Sequence, residues 1–276
     1  MRMRRIRDLE VTSGRFSGMT DPTKGWALIT GASSGIGEAF ARRLAAEGHD
    51  LVIVARRLEL LEKLAEELEG RHGVRVKAEP ADLSSEAGVE RVVERVRETE
   101  PLSMLVNNAG FSTAARFVEA DLESQLRMIR VHNLAAVRLV HAALPGMLAR
   151  GRGSIINVSS MAGLVPAPYN AIYDATKAFL VLFSEGLHQE LQGTGVRVQA
   201  LCPGYTHTGF HAAIGVDRKI PEPFWLTPEE VVDASLSALE KGTVVCVPGW
   251  KQRLFASFLL SLPRPLRYRL VRLVER

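Results

Sequence analysis

Short apolar runs alternate with amphipathic stretches along most of this chain, and few architectures can bury that pattern. From Trp26 onward the runs fall at residues 27–30, 51–55, 74–78, 104–107, 154–159, 197–201 and 244–247. They are mostly continuous rather than alternating, as parallel strands covered on both faces require. Between them, residues such as Leu58, Leu61, Leu64, Ala65 and Leu68 recur at helical spacing. Strand–helix–strand alternation predicts a single α/β domain of Rossmann type, with a doubly wound, mostly parallel sheet. The length of 276 residues suits one large domain of this kind. No repeat, low-complexity linker or composition break divides it.

A glycine-rich turn, Gly31-Ala32-Ser33-Ser34-Gly35-Ile36-Gly37, joins the first strand to a helix over residues 36–47. Without Cβ atoms the backbone turns tightly and can approach a pyrophosphate, which then rests on free N–H groups at the helix start. The turn therefore reads as a dinucleotide cradle. The second strand ends in Ala55-Arg56-Arg57. A site built for NAD carries an acid there, about 20 residues past the glycines, whereas an Arg accommodates a 2′-phosphate. The acid is missing, and cations at a helix start are unfavourable unless an anion joins them. Arg56 and Arg57 thus point to NADP(H), with NAD(H) as the secondary cofactor.

Four polar residues complete the chemistry. Tyr173 and Lys177 stand at i,i+4, on one helix face. A fixed ammonium beside a phenol favours phenolate and draws its pKa down from about 10, toward the range in which it exchanges protons with an alcohol or ketone. Ser160 ends a strand upstream and can hydrogen-bond a substrate oxygen; its neighbour Ser159 is the weaker candidate. Asn133 is an amide in the apolar helical stretch 128–140 and needs a partner.

With these residues in place, the chain resembles the short-chain dehydrogenases/reductases that carry a TGxxxGxG turn. It has Thr30-Gly31-Ala32-Ser33-Ser34-Gly35-Ile36-Gly37, Ala81-Asp82-Leu83, Asn107-Asn108-Ala109-Gly110, Asn133, Ser160, Tyr173-xxx-Lys177 and Pro203-Gly204-Tyr205-Thr206-His207-Thr208, in family order and spacing. The resemblance implies seven strands, Asp82 and Leu83 at the adenine, and Asn108, Ala109 and Gly110 along the cofactor. It also implies that Lys177 binds the nicotinamide ribose, that Asn133 supports a water in a proton relay, and that Pro203, Gly204, Thr206 and Thr208 meet the nicotinamide amide and the phosphates. One departure concerns Ser34, where many NADP-using relatives carry a basic residue; here the preference falls to Arg56, helped by Arg57. The expected reaction is reversible hydride transfer between nicotinamide and a carbonyl or secondary alcohol, with Ser160 positioning the oxygen and Tyr173 supplying the proton. The rival reading is an NADP(H)-binding sensor with little turnover, which the presence of Tyr173 and Lys177 disfavours. Helical stretches 122–149 and 171–191 are apolar all round, and in the family such helices pack against a second subunit, so a homodimer or homotetramer is expected.

Charge divides the chain further. Residues 19–249, the expected catalytic domain, hold 23 Lys/Arg against 28 Asp/Glu, whereas residues 1–18 hold five Arg against two acids and residues 250–276 seven basic residues against one acid. The basic excess is terminal, and without a basic face or stacking aromatics in the body it does not indicate nucleic acid. Residues 1–18 lack the apolar run of a secretory signal and read as a disordered leader or an overlong start, with Met19 as initiator. The tail places Leu254, Phe255, Phe258, Leu259 and Leu262 at helical spacing before Arg264, Arg267, Arg269 and Arg272. It reads as a contact surface for an anionic membrane, the substrate cleft or a partner subunit. Two distant cysteines, Cys202 and Cys246, suggest a reduced cytoplasmic protein, membrane-peripheral if the tail binds lipid. Tyr169 has no Lys four residues on and is expected to line the cleft. His207 and His211, in the irregular stretch 204–226, are expected to line the substrate or the surface, and no metal centre is foreseen.

Overall fold

A computed structural model describes residues 24–210 and 221–274; the leader 1–18 and His211 lie outside the described residues. Seven strands form the sheet: β1 (Trp26–Thr30), β2 (Asp50–Ala55), β3 (Val76–Pro80), β4 (Leu102–Asn107), β5 (Gly153–Val158), β6 (Val196–Leu201) and β7 (Val245–Cys246). Their order is β3-β2-β1-β4-β5-β6-β7, and every neighbouring pair is parallel. The expected seven-stranded, doubly wound sheet is thus present, with strand bounds within a few residues of those read from the apolar runs.

Continuous apolar runs are used on both sides. Ile29, Ile53, Val106 and Ile156 face one way, onto Phe40 and Leu44 of α1 (Gly35–Ala46), Leu61 and Leu64 of α2 (Leu58–His72) and Val231 of α7 (Pro228–Glu240). Their sequence neighbours Leu28, Val52, Leu105 and Ile155 face the other way, onto Val92 and Val96 of α3 (Glu86–Glu98) and Leu139 and Met147 of α5 (Ala135–Ala149). The two larger apolar clusters lie one on each face, because successive strand side chains alternate while helices cover both sides, and a smaller one joins Val181 to Ala200 and Cys202.

The stretch expected as one helix over 122–149 is helical throughout but not uniform. It begins as α4 (Leu122–Ile129), widens into a π turn at Arg130–Leu134, and continues as α5. There the Ala135 N–H bonds the Arg130 carbonyl five residues back. After β5 come a 3-10 turn, Met161–Gly163, and the 20-residue helix α6 (Ala171–Glu190). The chain ends in α8 (Trp250–Ser261) and α9 (Arg264–Val274).

Strand order reverses between β1 and β4, so crossovers leave the sheet in opposite directions there. The crevice beyond their carboxyl ends is where such sheets bind ligands. The segments following β1, β4, β5 and β6 all open into it.

Candidate active site

The glycine turn follows β1 and is built for close approach. Gly31 and Gly35 have φ of +68° and +59°, in the left-handed region that favours glycine. A Cβ on Gly37 would lie 2.3 Å from the Gly31 carbonyl and 2.4 Å from Asn108 Nδ2, so nothing larger fits. Asn108, after β4, donates from Nδ2 to the Thr30 carbonyl at 2.9 Å, while Thr30 Oγ1 accepts from the Asn108 and Ala109 amides at 2.9 and 3.0 Å. Thr30 thereby ties the end of β1 to the end of β4, a role the sequence motif alone did not disclose. From the other half of the sheet, Thr208 packs against Gly35, where a Cβ would sit 3.0 Å from the threonine methyl. Thr206 is buried, bonds the Gly204 carbonyl at 3.1 Å and bridges to Leu226. The segments 31–37, 108–110 and 204–208 thus converge on one crevice.

At the end of β2, Arg56 and Arg57 are both exposed, and Arg57 donates to Ser33 Oγ at 3.1 Å. Asp82, past β3, accepts from the Ser84 amide and hydroxyl at 2.9 and 2.8 Å. Partial burial works to raise its pKa, but the Ser84 bonds and the nearby Arg56 and Arg127 charges together hold it below the usual carboxylate range. Arg56, Asp82 and the Ser33–Arg57 pair thus fringe the far side of the glycine turn. Leu83 beside them is buried.

Where β5 ends, Ser160 starts the 3-10 turn and hydrogen-bonds the Tyr173 hydroxyl, which α6 carries across from it. Lys177, one turn on, is buried and donates from Nζ to the Val158 carbonyl at 2.8 Å. Close approach of α6 to this turn depends on Gly163, whose Cβ would lie 2.6 Å from the Lys177 backbone. Ser159 is committed elsewhere: its buried hydroxyl donates to the Lys177 carbonyl at 2.7 Å. Ser160, Tyr173 and Lys177 are thus brought together where β5 ends and α6 crosses it.

The electrostatics differ from the spacing argument. Burial pushes the Tyr173 phenol up to about 12, with the Ser160 hydroxyl opposing the rise, and lowers the Lys177 ammonium to about 8. The expectation of a Tyr173 drawn down by Lys177 is corrected on this point. Withdrawal from water penalises both charged forms, and Nζ stands 5.7 Å from the phenol ring centroid and donates a hydrogen bond to the Val158 carbonyl instead.

Asn133 sits in the π turn, buried, with Nδ2 donating to the Thr176 carbonyl of α6 at 2.9 Å. Its neighbour His132 was not singled out from the sequence. This buried imidazole accepts the Phe111 amide on Nε2 at 3.1 Å, so Nδ1 carries the proton toward Thr176 Oγ1, 2.8 Å away. Thr176 Oγ1 in turn donates to the Tyr173 carbonyl at 2.8 Å. Burial foremost, with the Lys177 charge adding to it, holds His132 well below its ordinary value, so it is neutral. Phe111 and Phe210, also unforeseen, flank this core: ring centroids run Phe111–His132 6.0 Å, His132–Tyr173 5.9 Å and Tyr173–Phe210 6.0 Å. His207 stacks on Trp225 at 4.8 Å and pairs with Glu222 at 3.1 Å. Tyr169 is half exposed, with φ +69°.

The family model for short chain dehydrogenases matches residues 25–219. The chain belongs to the short-chain dehydrogenase family. As a family member it is an oxidoreductase acting on CH–OH or C=O groups, with one Rossmann-like domain. It is 35% identical over 240 residues to a very-long-chain 3-oxoacyl-CoA reductase of Anas platyrhynchos, covering 82% of this chain and 74% of the relative. A solved short-chain dehydrogenase from Sphingobium yanoikuyae in complex with NADPH superposes with a TM-score of 0.80 at 38% identity, over 88% of this chain and 94% of that one. L-sorbose reductase from Gluconobacter frateurii, solved with NADPH and L-sorbose, gives a TM-score of 0.72 at 33% identity, over 81% and 94%. NADPH is thus the nucleotide bound in both of these family structures. The turn in this chain has the tightness that such a nucleotide requires, since a Cβ on Gly31 or Gly37 would lie 2.8 or 2.4 Å from Asn108 Nδ2 and force the turn away from the end of β4.

Proposed function

We propose that this short-chain dehydrogenase catalyses reversible, NADP(H)-linked reduction of a carbonyl to a secondary alcohol. The carrying observation is the Ser160–Tyr173 hydroxyl pair at the mouth of the crevice, with Lys177 buried one helix turn behind it. When bound, the nicotinamide supplies the hydride. Tyr173, protonated at neutral pH because burial raises its pKa, is set to donate to the carbonyl oxygen, and Ser160 holds that oxygen beside the phenol. Lys177 would hold the nicotinamide ribose and Asn133 a relay water. Gly31, Ser33, Ser34, Gly35, Ile36 and Gly37 would cradle the pyrophosphate. Asp82 and Leu83 would border the adenine, with Asn108, Ala109 and Gly110 along the cofactor and Pro203, Gly204, Thr206 and Thr208 closing over it. Arg56, exposed and near Asp82, would meet the 2′-phosphate and favour NADPH. Phe111 and Phe210 give the substrate side apolar walls, which suits a substrate with hydrocarbon beside its carbonyl, such as the oxoacyl chain in the relative's name.

We also propose a homodimer or homotetramer formed through α4–α5 and α6, which leave Leu134, Leu148, Phe179 and Leu182 exposed, and a cytoplasmic location consistent with two free, buried cysteines. The test of the catalytic reading is Tyr173→Phe. NADPH oxidation over a panel of aldehydes and ketones should fall below about a tenth of wild type, a loss of more than about 1.4 kcal/mol of barrier stabilisation, while NADPH binding persists. Binding without turnover in the wild type would favour a nucleotide sensor instead.

A further inference from the structure

Beyond the crevice, α8 and α9 present a surface that combines exposed apolar side chains with exposed arginines. Helix α8 buries Gln252, Ala256 and Leu259, a stripe at helical spacing, against the body. Its opposite side leaves Trp250, Leu254 and Phe258 exposed at 66%, 64% and 53%, one turn apart, with Phe255 and Leu260 beside them. On α9, Leu266 and Tyr268 are exposed as well. The two helices are fixed as one unit by Arg267, which donates from Nε to the Leu259 carbonyl at 2.9 Å and from Nη2 to the carbonyls of Leu260 and Leu262 at 2.9 and 3.2 Å. These are the acceptors that a helix end leaves orphaned.

Charge identifies what covers this face. Between Trp250 and Val274 the chain has six Lys/Arg and no Asp or Glu, although residues 19–249 are net acidic. Arg253, Arg264 and Arg269 are exposed around the apolar residues. A second copy docking there with two-fold symmetry would bring the same cations together. A negatively charged lipid surface meets both demands, taking apolar side chains to the acyl boundary and guanidinium groups to the headgroups, while Trp and Tyr favour that boundary. No helix among the described residues is long and apolar enough to cross a membrane, so the contact lies in the interface plane.

The inner side of α8 says which end of the enzyme is turned to the lipid. Gln252 is buried, donates to the Phe224 carbonyl at 3.0 Å, and packs where a Cβ on Gly204 would come within 3.2 Å of it. Helix α8 therefore rests directly on Gly204, which follows β6 and faces the crevice, and on Phe224. We propose that α8–α9 is a docking surface for anionic bilayers, holding the side of the crevice that carries Gly204 and Phe224 toward the membrane.

Flotation of the full chain with phosphatidylcholine vesicles, with and without phosphatidylserine, tests this. Binding should require phosphatidylserine and weaken in 1 M salt, where the Debye length is about 3 Å. Leu254→Glu/Phe258→Glu should abolish it. Arg264→Gln/Arg269→Gln should weaken partitioning roughly 30-fold, at about 1 kcal/mol per cation near an anionic surface. All four side chains are exposed, so both variants should keep the wild-type melting temperature and NADPH turnover on a soluble substrate. The idea is overturned if the wild type does not float with anionic vesicles, or if neither variant pair changes its flotation. A drop in molecular mass caused by Leu254→Glu/Phe258→Glu, with flotation intact, would equally overturn it by making a second copy the occupant. Should that pair fail to fold, the arginine pair decides alone.

Discussion

Arg56 and His132 show how much a single side chain can carry here. Arg56 lies at the end of β2 with no acid at Ala55 to compete for a ribose hydroxyl, and Asp82 is its nearby anion. A guanidinium meets a 2′-phosphate with paired, charge-assisted bonds. Such contacts contribute about 1.5–3 kcal/mol, or roughly 10- to 150-fold in affinity. Arg56→Ala should therefore weaken NADPH binding by that factor and leave NADH nearly untouched; equal losses for both cofactors would refute the assignment. His132 acts through others. It joins the Phe111 backbone after β4, the π turn that bears Asn133, and Thr176 on the helix that bears Tyr173 and Lys177. His132→Phe keeps a ring but leaves the Phe111 amide without its acceptor and the buried Thr176 hydroxyl without the His132 bond, so stability should fall by about 1–3 kcal/mol. The kcat should fall too, with the KM for NADPH little changed, and His132→Gln should recover part of the rate. A variant that loses stability at unchanged kcat would reduce His132 to a packing residue.

At the scale of elements, local signals were legible where they act locally. Thr227-Pro228-Glu229-Glu230 reads as a capping box, and the structure forms one: Thr227 Oγ1 accepts the Glu230 amide at 3.2 Å and Glu230 accepts the Thr227 amide at 2.8 Å. Thr227→Ala should cost about 1 kcal/mol, read as a lower midpoint in urea; an unchanged midpoint would mean that α7 is held by packing alone. The π turn was not legible. Periodicity over 122–149 resolves a helix but not a one-residue widening, and π bulges of this kind recur at functional sites. Here the widened turn carries both His132 and Asn133, each bonded to Thr176 across the gap to α6.

For the molecule as a whole, the site imposes a pH signature on stability. Lys177 is lowered from 10.5 to about 8, so between those values the folded state binds fewer protons there than the unfolded state. Stability gains as pH rises through that window. Tyr173, raised from 10.0 to about 12, acts in the opposite sense: the folded state holds its proton longer, and stability is lost as pH rises from 10 to 12. Urea midpoints for wild type and Lys177→Met should thus converge or cross as pH is raised from 8 toward 10.5, because other groups cancel in the difference. A difference independent of pH across that range would show that Lys177 is not perturbed by folding.

The sequence by itself determined the sheet and its two faces. Continuous apolar runs need covering on both sides, and alternation with helical stretches leaves a parallel, doubly wound sheet as the arrangement that does so. It also placed Gly31, Gly35 and Gly37 in a turn, since conformations and contacts that exclude a Cβ are written in the residue type. What only the tertiary structure decided are relations between distant segments. Thr30 lacing β1 to β4, Thr208 lying over Gly35, Gln252 resting under Gly204, and His132 linking Phe111 to Thr176 join residues 21 to 173 positions apart. The charge states of Tyr173 and Lys177 belong to the same class. Their i,i+4 spacing was visible, but burial, which outweighs the pairing, is a property of everything packed around them.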